Sequence, residues 1–352
     1  MRPKSGIPKR KALRRNPEYK GGLFETTMFT SERKNESSYS VLSLFSGCGG
    51  LDLGLLGGFN YLGKKYEKLN FKIIGSYDID KKSIDTHNLN LNTNAHVSDL
   101  SKVPTSELPI AQVLTGGFPC QDFSSSGLKK GMSTERGQLF TVLRDYMKLH
   151  KPLIAVGENV PFLEKLDNGS ALITIKKEFE KVGYKVQVWK IYCPDYGLPQ
   201  SRTRLFIICV RNDIEGFPDH PVPTHVFKHV SIDEALDDLV GIEDETIPNQ
   251  SQYFMATKAT AGAGQGDQKS KKGELAFTVR ANAKARIHFH YSLDRRLTVR
   301  ECARLQSFPD EFVFPHAAMN AMTQIGNAVP PIIGHVVGKQ LQKFLDTVKF
   351  IK

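Results

Sequence analysis

The sequence predicts an α/β fold: a mostly parallel sheet with helices on both faces, joined by a smaller second domain. Three observations predict it. Short apolar strands alternate with helix-patterned segments from Val41 to Arg211, the signature of a crossover-connected sheet. The alternation lapses from about Asn212 to Tyr291. The glycine, acidic and cysteine clusters fall where apolar runs end, and in open α/β sheets ligands gather at the carboxyl ends of strands.

The elements follow in chain order. "SVLSLFSG" reads as a short buried strand ending in glycines, and "LDLGLLGGF" as the helix after it. "FKIIGSYDID" is a second strand ending in acids, followed by the polar helix "KKSIDTHNLNLN". "AQVLTGGFPC" runs from strand into loop, and "GQLFTVLRDYMKLHK" has helical apolar spacing. "PLIAVGENV", "YKVQVWKIYC" and "RLFIICVR" continue the strands. "SIDEALDDLVGIEDE" is an acidic helix, and "TKATAGAGQGDQKSKKGEL" has the Gly, Ala and Lys content of a mobile loop. "LTVRECARLQSFPDEF" is a helix closed by Pro309, with Thr298 as N-cap and Glu301 three residues on. "NAVPPIIGHVVGKQLQKFLDTV" ends the chain as a proline-led helix. The expected organisation is a basic flexible arm at 1–39 and a catalytic and cofactor-binding domain at 40–211. A recognition domain at 212–294 and a returning segment at 295–352 complete it.

Composition narrows the class. With 352 residues, 40% hydrophobic and 24% charged, the chain has the balance of a soluble globular protein. No apolar run approaches the roughly 20 residues that span a bilayer, and the basic N-terminus lacks the apolar core of a secretory signal. Five cysteines with no CxxC pair fit reduced thiols in the cytoplasm. A net charge of +11 fits a polyanionic partner, although a basic balance also occurs without one. The arm's clustered Lys and Arg suit a phosphate backbone or simply a solvated tail.

Three constellations carry chemistry. The first is "FSGCGGLDLG", where glycines between strand and helix let the backbone approach a ligand and free helix N–H groups for it. It lacks GxGxxG spacing, and packing turns use glycine too. Asp78 and Asp99, at later strand ends, suit a ribose and an adenine amino group, although a helix N-cap is the commoner role for an isolated Asp after a strand. The second is Cys120 in "LTGGFPCQDFSSSG", with Glu158, Asn159 and Val160. A thiolate adds to an electron-poor carbon and leaves again, and a carboxylic acid beside it makes that carbon more electrophilic by protonating its ring. None of the ten histidines lies in a comparable strand-end motif. The third is "PQSRTRLFIICV", whose Arg202 and Arg204 alternate onto one face and suit phosphate or carbonyl recognition, or a solvated edge.

In this order "FSGCGG", "GGFPCQ", "ENV", "QSRTR", "RRLTVRECARLQSFPD" and "QIGNAVPP" closely resemble the blocks of the cytosine-C5 DNA methyltransferase family, from Val41 to about Gly334. The resemblance implies a Rossmann-like sheet that binds S-adenosyl-L-methionine and releases S-adenosyl-L-homocysteine, with duplex DNA as partner and no metal. It implies that Phe45 stacks on adenine while Ser46, Gly47, Cys48, Gly49 and Gly50 line the methionine part. Asp78 would hold the ribose, with Ile79, Asp99 and Leu100 about the adenine and Pro119, Leu139, Asn327, Ala328 and Val329 completing the pocket. Cys120 would attack C6 of a flipped cytosine, Glu158 would contact N3 and the amine, Arg204 would contact O2, and Arg202 would support the thiolate.

For DNA the resemblance and the charge pattern point to Gln121, Ser124, Ser126 and Lys130 in the loop after Cys120, and to Gln200. In the recognition region they point to Lys258, Lys269, Lys271, Lys272, Thr278, Arg280, Lys284 and Arg286. "AFTVRANAK" is the candidate base-reading segment and "KSKK" a backbone contact. The family often carries an aromatic where Ile79 stands and Glu where Asp78 stands. The implied enzyme is the cytoplasmic, nucleoid-associated modification member of a restriction-modification system, its endonuclease forming no stable complex with it. The same fold also serves tRNA cytosine-C5 methylation and inactive DNA-binding relatives. An extra cysteine signature of the tRNA branch is missing here, and Cys120, Glu158 and the glycine cluster are intact.

Overall fold

The computed structural model describes residues 38–119, 139–242, 268–281 and 288–351. In chain order these form β1 (Tyr39–Leu44), α1 (Gly50–Leu56), β2 (Phe59–Tyr61), β3 (Lys64–Tyr66), β4 (Phe71–Asp78), α2 (Lys81–Asn90), β5 (Ala95–Val97) and β6 (Val113–Gly116). Next come α3 (Phe140–His150), β7 (Ile154–Asn159), α4 (Ser170–Lys181), β8 (Tyr184–Tyr192), β9 (Thr203–Arg211) and α5 (Ile232–Leu236). The series ends with β10 (Gln268–Lys269), β11 (His288–Phe289), α6 (Val299–Leu305), α7 (Ala318–Asn327) and α8 (Pro331–Leu345). The expected arm at 1–39 lies, except for its last two residues, outside the described residues.

Seven strands make the central sheet in the order β5-β4-β1-β6-β7-β9-β8. From β5 to β7 neighbours run parallel, whereas β9 runs antiparallel to both β7 and β8. The order reverses between β1 and β6, so a crevice opens outside their carboxyl ends. The reversed strand has a further consequence. Its first residues, not its last, arrive at that same edge, with Leu205 opposite Asn159 and Phe206 opposite Glu158.

Near-continuous apolar runs are what a sheet covered on both faces requires. Along β9, Phe206, Ile208 and Val210 join one core cluster with α1, α6 and α8, while Leu205, Ile207 and Cys209 join the other with α3 and α4. Every quoted strand from β1 to β9 forms. The acidic helix expected after Ser231 is shorter than its pattern: α5 has five residues with a Ser231–Glu234 capping box. It passes into a single 3-10 turn at Asp237–Leu239, and Gly241 then takes a left-handed φ of 84°. In α6 the Thr298–Glu301 box forms as expected. This helix stops at Leu305, before Pro309 is reached, because Ser307 turns to a φ of 66°.

Helix α1 meets α8 with almost no space between them. A Cβ on Gly54 would lie 2.5 Å from the Pro331 carbonyl oxygen and 2.6 Å from Gly334 Cα, and neither backbone atom can move alone. Helix propensity favours Ala over Gly by about 0.5–1 kcal/mol, but overpacking a tight contact costs about 1–3 kcal/mol. Gly54→Ala is therefore expected to lower stability in urea unfolding. A stabilised variant would show that the two helices part freely.

Candidate active site

The loop leaving β1 supplies the first wall of the crevice. Phe45, a non-glycine residue, sits at a φ of 54°, a conformation that costs about 1–2 kcal/mol. Ser46 N–H donates to the Tyr77 carbonyl at 3.0 Å, fixing that turn to β4. Gly47 N–H then donates to Asp78 Oδ2 at 2.8 Å, and Asp80 N–H to Asp78 Oδ1 at 2.9 Å. Burial nevertheless raises the Asp78 pKa above the usual carboxylate value, opposed by those amides. A Cβ on Gly47 would meet nothing within 4 Å, so the loop faces open space there. Ser46 Oγ is buried with no hydrogen-bond partner. Ile79 is 68% and Val97 52% exposed, two apolar side chains at neighbouring strand ends.

The remaining cofactor candidates divide by position. Cys48 is buried and bonds weakly to the Gln324 carbonyl at 3.8 Å. Leu100 is buried. The Asp99 pKa is lowered by the Ser101 hydroxyl and Lys102, so it holds its own turn. Gly50 presses on the Val329 carbonyl, which a Cβ would approach to 2.3 Å. This contact brings the C-terminal segment to the glycine loop, with Ala328 and Val329 buried and Asn327 exposed. Pro119 and Leu139 are half-buried at the two ends of the stretch 120–138. Cys120, Gln121, Ser124, Ser126 and Lys130 lie in that stretch, outside the described residues, as do Lys258, Lys284 and Arg286 further on.

The second wall comes from β6, β7 and the start of β9. Glu158, next to last in β7, is almost fully buried, with Arg204 Nε 2.9 Å from its Oε1. Burial raises the Glu158 pKa, against the lowering effect of Arg204 and then Arg202. On its other side a Cβ on Gly117 would lie 3.3 Å from Glu158 Oε2. Asn159 Nδ2 donates to the Phe118 carbonyl at 3.2 Å, tying the chain two residues before Cys120 to the residue after Glu158.

Arg202 and Gln200 make buried contacts that the sequence did not suggest. Arg202 is buried and donates to the carbonyls of Val279 at 3.0 Å, Gly326 at 2.8 Å and Ala328 at 3.0 Å. Burial and the neighbouring Arg204 push its pKa down, although a guanidinium keeps its proton in proteins. Gln200, expected at the DNA, is fully buried. It donates to the Leu305 carbonyl and Gln306 Oε1, both at 2.7 Å, and accepts from Val279 N–H at 2.9 Å. Thr278 donates to the Ser201 carbonyl. Lys271, Lys272 and Arg280 are exposed; Lys271 lies 3.8 Å from Glu274 and Lys272 3.9 Å from Asp237. Lys269 Nζ lies 3.5 Å from Asp294.

Sequence reasoning missed a wholly buried polar group behind the glycine loop, Asp52 with His87. Their only signal was an acid and a histidine at apolar positions of short helices.

Fold and site together describe a doubly wound α/β protein with a ligand crevice at the switch point, a glycine loop facing an acid on one side and a buried carboxylate–guanidinium pair on the other. The chain belongs to the C-5 cytosine-specific DNA methylase family, whose model matches residues 39–343. It is similar to the type II methyltransferase M.FnuDI of Fusobacterium nucleatum, 30% identical over 345 residues, covering 89% of this chain and 96% of the relative. The type II methyltransferase M.Eco47II of Escherichia coli is 31% identical over 363 residues, covering 93% and 84%. Among solved structures, the methyltransferase EhMeth of Entamoeba histolytica shares the fold with a TM-score of 0.67 at 16% identity, covering 88% of this chain and 99% of that one.

The raised pKa of Glu158 has a defined sign in stability. The folded state holds this proton to higher pH than the unfolded chain does. The resulting stability is fully present below the unfolded value of about 4.3 and is lost as pH rises through the folded value. Glu158→Gln lacks this dependence. Its stability relative to the parent is expected to rise from pH 4 towards neutrality in urea unfolding, and a flat or falling difference would contradict the burial argument.

Proposed function

We propose that this chain methylates C5 of a flipped-out cytosine within a short DNA sequence, with Cys120 as nucleophile, Glu158 at N3 and the exocyclic amine, and Arg204 at O2. The supporting observation is the bond from Asn159 to the Phe118 carbonyl, which couples the Cys120 loop to the strand end carrying Glu158. The other thiols argue the same way. Burial pushes Cys48 and Cys193 up to about 12 and raises Cys209 and Cys302 as well, and buried thiols of that kind are inert.

The crevice residues fit S-adenosyl-L-methionine. Asp78 keeps free lone pairs for ribose hydroxyls, Ile79 and Val97 offer apolar surface to an adenine, and the orphaned Ser46 hydroxyl with the open face of Gly47 suits the methionine end. When bound, this cofactor supplies an electrophilic methyl group. The protein's share is to make C5 nucleophilic. The Cys120 thiolate adds to C6 while Glu158 stabilises a proton at N3, so electron density reaches C5. Methyl transfer has S-adenosyl-L-homocysteine as its leaving group; loss of the C5 proton to water then expels the Cys120 thiolate from C6 and restores the aromatic ring and the free enzyme.

A raised Glu158 pKa suits this role, since the group must share a proton with N3. Arg204 keeps the carboxyl oriented and is itself directed at O2. Arg202 acts as a clamp that holds the recognition and C-terminal segments to the site. Turning the base out of the stack costs a few kcal/mol, supplied by contacts to the phosphates from Lys271, Lys272, Arg280 and the basic residues of 120–138, 258, 284 and 286. The enzyme is the modification member of a restriction-modification system and acts at the nucleoid in the cytoplasm. Among the described residues no helix is long and apolar enough to cross a membrane.

Bisulfite sequencing of DNA from cells expressing the chain, beside Cys120→Ser, tests the reading. The expected result is one short motif methylated by the parent alone. Unmethylated DNA from a folded, cofactor-binding parent, with methylated tRNA instead, would transfer the activity to RNA.

A further inference from the structure

Asp52 and His87 have no part in the chemistry above, yet both are wholly buried directly behind the glycine loop. Asp52 stands in the first turn of α1. Its carboxylate gathers donors from three other elements: Ser43 Oγ on β1 at 2.7 Å, Ser76 Oγ on β4 at 2.9 Å and His87 Nε2 on α2 at 2.9 Å. A carboxylate accepts only, so Nε2 carries the proton. The other ring nitrogen, Nδ1, lies 3.2 Å from Thr93 Oγ1. Both ring nitrogens are thereby engaged and the imidazole cannot rotate without breaking a buried bond.

The ring is also in contact with the loop. Gly49 has a φ of 89°, and a Cβ there would fall 2.7 Å from His87 Cδ2, 2.7 Å from Leu91 Cδ1 and 3.1 Å from His87 Nε2, so the ring shares the floor with Leu91. Two residues earlier, at Gly47, a Cβ would meet nothing within 4 Å. The loop therefore has a rigid floor at Gly49 and an open face at Gly47, and Gly47 N–H is bonded to Asp78.

We propose that His87, oriented by Asp52, is a positioning residue for the cofactor: it sets the height of the Ser46–Gly50 turn and, through the Gly47–Asp78 bond, the carboxylate that receives the ribose. The inference rests on the S-adenosyl-L-methionine reading given above. Displacing the floor moves the loop and changes the spacing between its polar groups and Asp78, at a site that neither His87 nor Asp52 touches directly. The effect is on cofactor affinity, while the DNA-facing surfaces keep their shape.

The test is isothermal titration of S-adenosyl-L-homocysteine into the full chain, with DNA affinity measured in parallel at moderate salt. Each variant is titrated at a temperature where its circular dichroism is native. His87→Phe puts a slightly larger ring under Gly49 and loses both bonds, so the floor is displaced; its Kd is expected to rise on the order of tenfold, with DNA affinity unchanged. His87→Gln, which retains one amide donor for Asp52, should recover part of the loss. Thr93→Val removes only the second bond and covers the case in which His87→Phe does not fold; about a twofold rise is expected. Wild-type affinity in folded variants would overturn the proposal, as would equal losses for cofactor and DNA, which mark a purely structural role. A parent chain with no affinity for S-adenosyl-L-homocysteine would instead overturn the cofactor reading, and this proposal with it.

Discussion

Arg202 sends its guanidinium into the interior and holds three carbonyls, one at Val279 and two, Gly326 and Ala328, at the end of α7. Those segments are 77, 124 and 126 residues away in sequence from the arginine. Gln200 and Gln306 extend the clamp, since Gln306 Nε2 donates to the same Ala328 carbonyl at 2.6 Å. A buried guanidinium left without acceptors costs several kcal/mol, so the three segments are held where these carbonyls must be. Both walls of the crevice depend on it: Val329 is delivered to the glycine loop, and β9 enters the sheet with Arg204 beside Glu158.

The antiparallel strand explains why one edge can hold groups from so many parts of the chain. Parallel strands deliver only their carboxyl ends, which here bring Phe45, Asp78, Phe118 and Glu158. By reversing, β9 adds its amino end, and a cation from a strand start meets an anion from a strand end. The Glu158–Arg204 pair is costly to bury. The raised pKa of Glu158 means that burial outweighs the arginine.

Much of this was legible in the sequence because periodicity and punctuation agree. Strands of four or more apolar residues announced themselves, and the Thr298–Glu301 box was readable from spacing alone. The hairpin β2–β3 was not, because three-residue strands are too short to show alternation. Helix α7 was missed although its buried Ala318, Ala321, Met322 and Ile325 recur at helical spacing, because small side chains and Gly326 make that stripe faint beside the long aliphatic runs elsewhere. The roles of Arg202 and Gln200 were illegible for another reason. Both stand in a motif rich in polar residues, and whether such a side chain faces solvent or a distant carbonyl is decided by tertiary contacts. Asp52 and His87 were hidden likewise: each looks like an ordinary polar residue on a short helix until β1, β4 and α2 are brought together around them.

The central claim is that Cys120 forms a bond to cytosine C6 in a site organised by Glu158 and Arg204. It is tested most directly by trapping that bond. A duplex carrying the methylated motif with 5-fluorocytosine at the target position blocks the last step, because fluorine cannot leave C5 as a proton does. With S-adenosyl-L-methionine present, the account predicts a stable protein–DNA adduct whose peptide map places the link on Cys120, and a much slower adduct in Glu158→Gln. Methylation of ordinary DNA with no adduct on the fluorinated duplex, or a link through another cysteine, would contradict it.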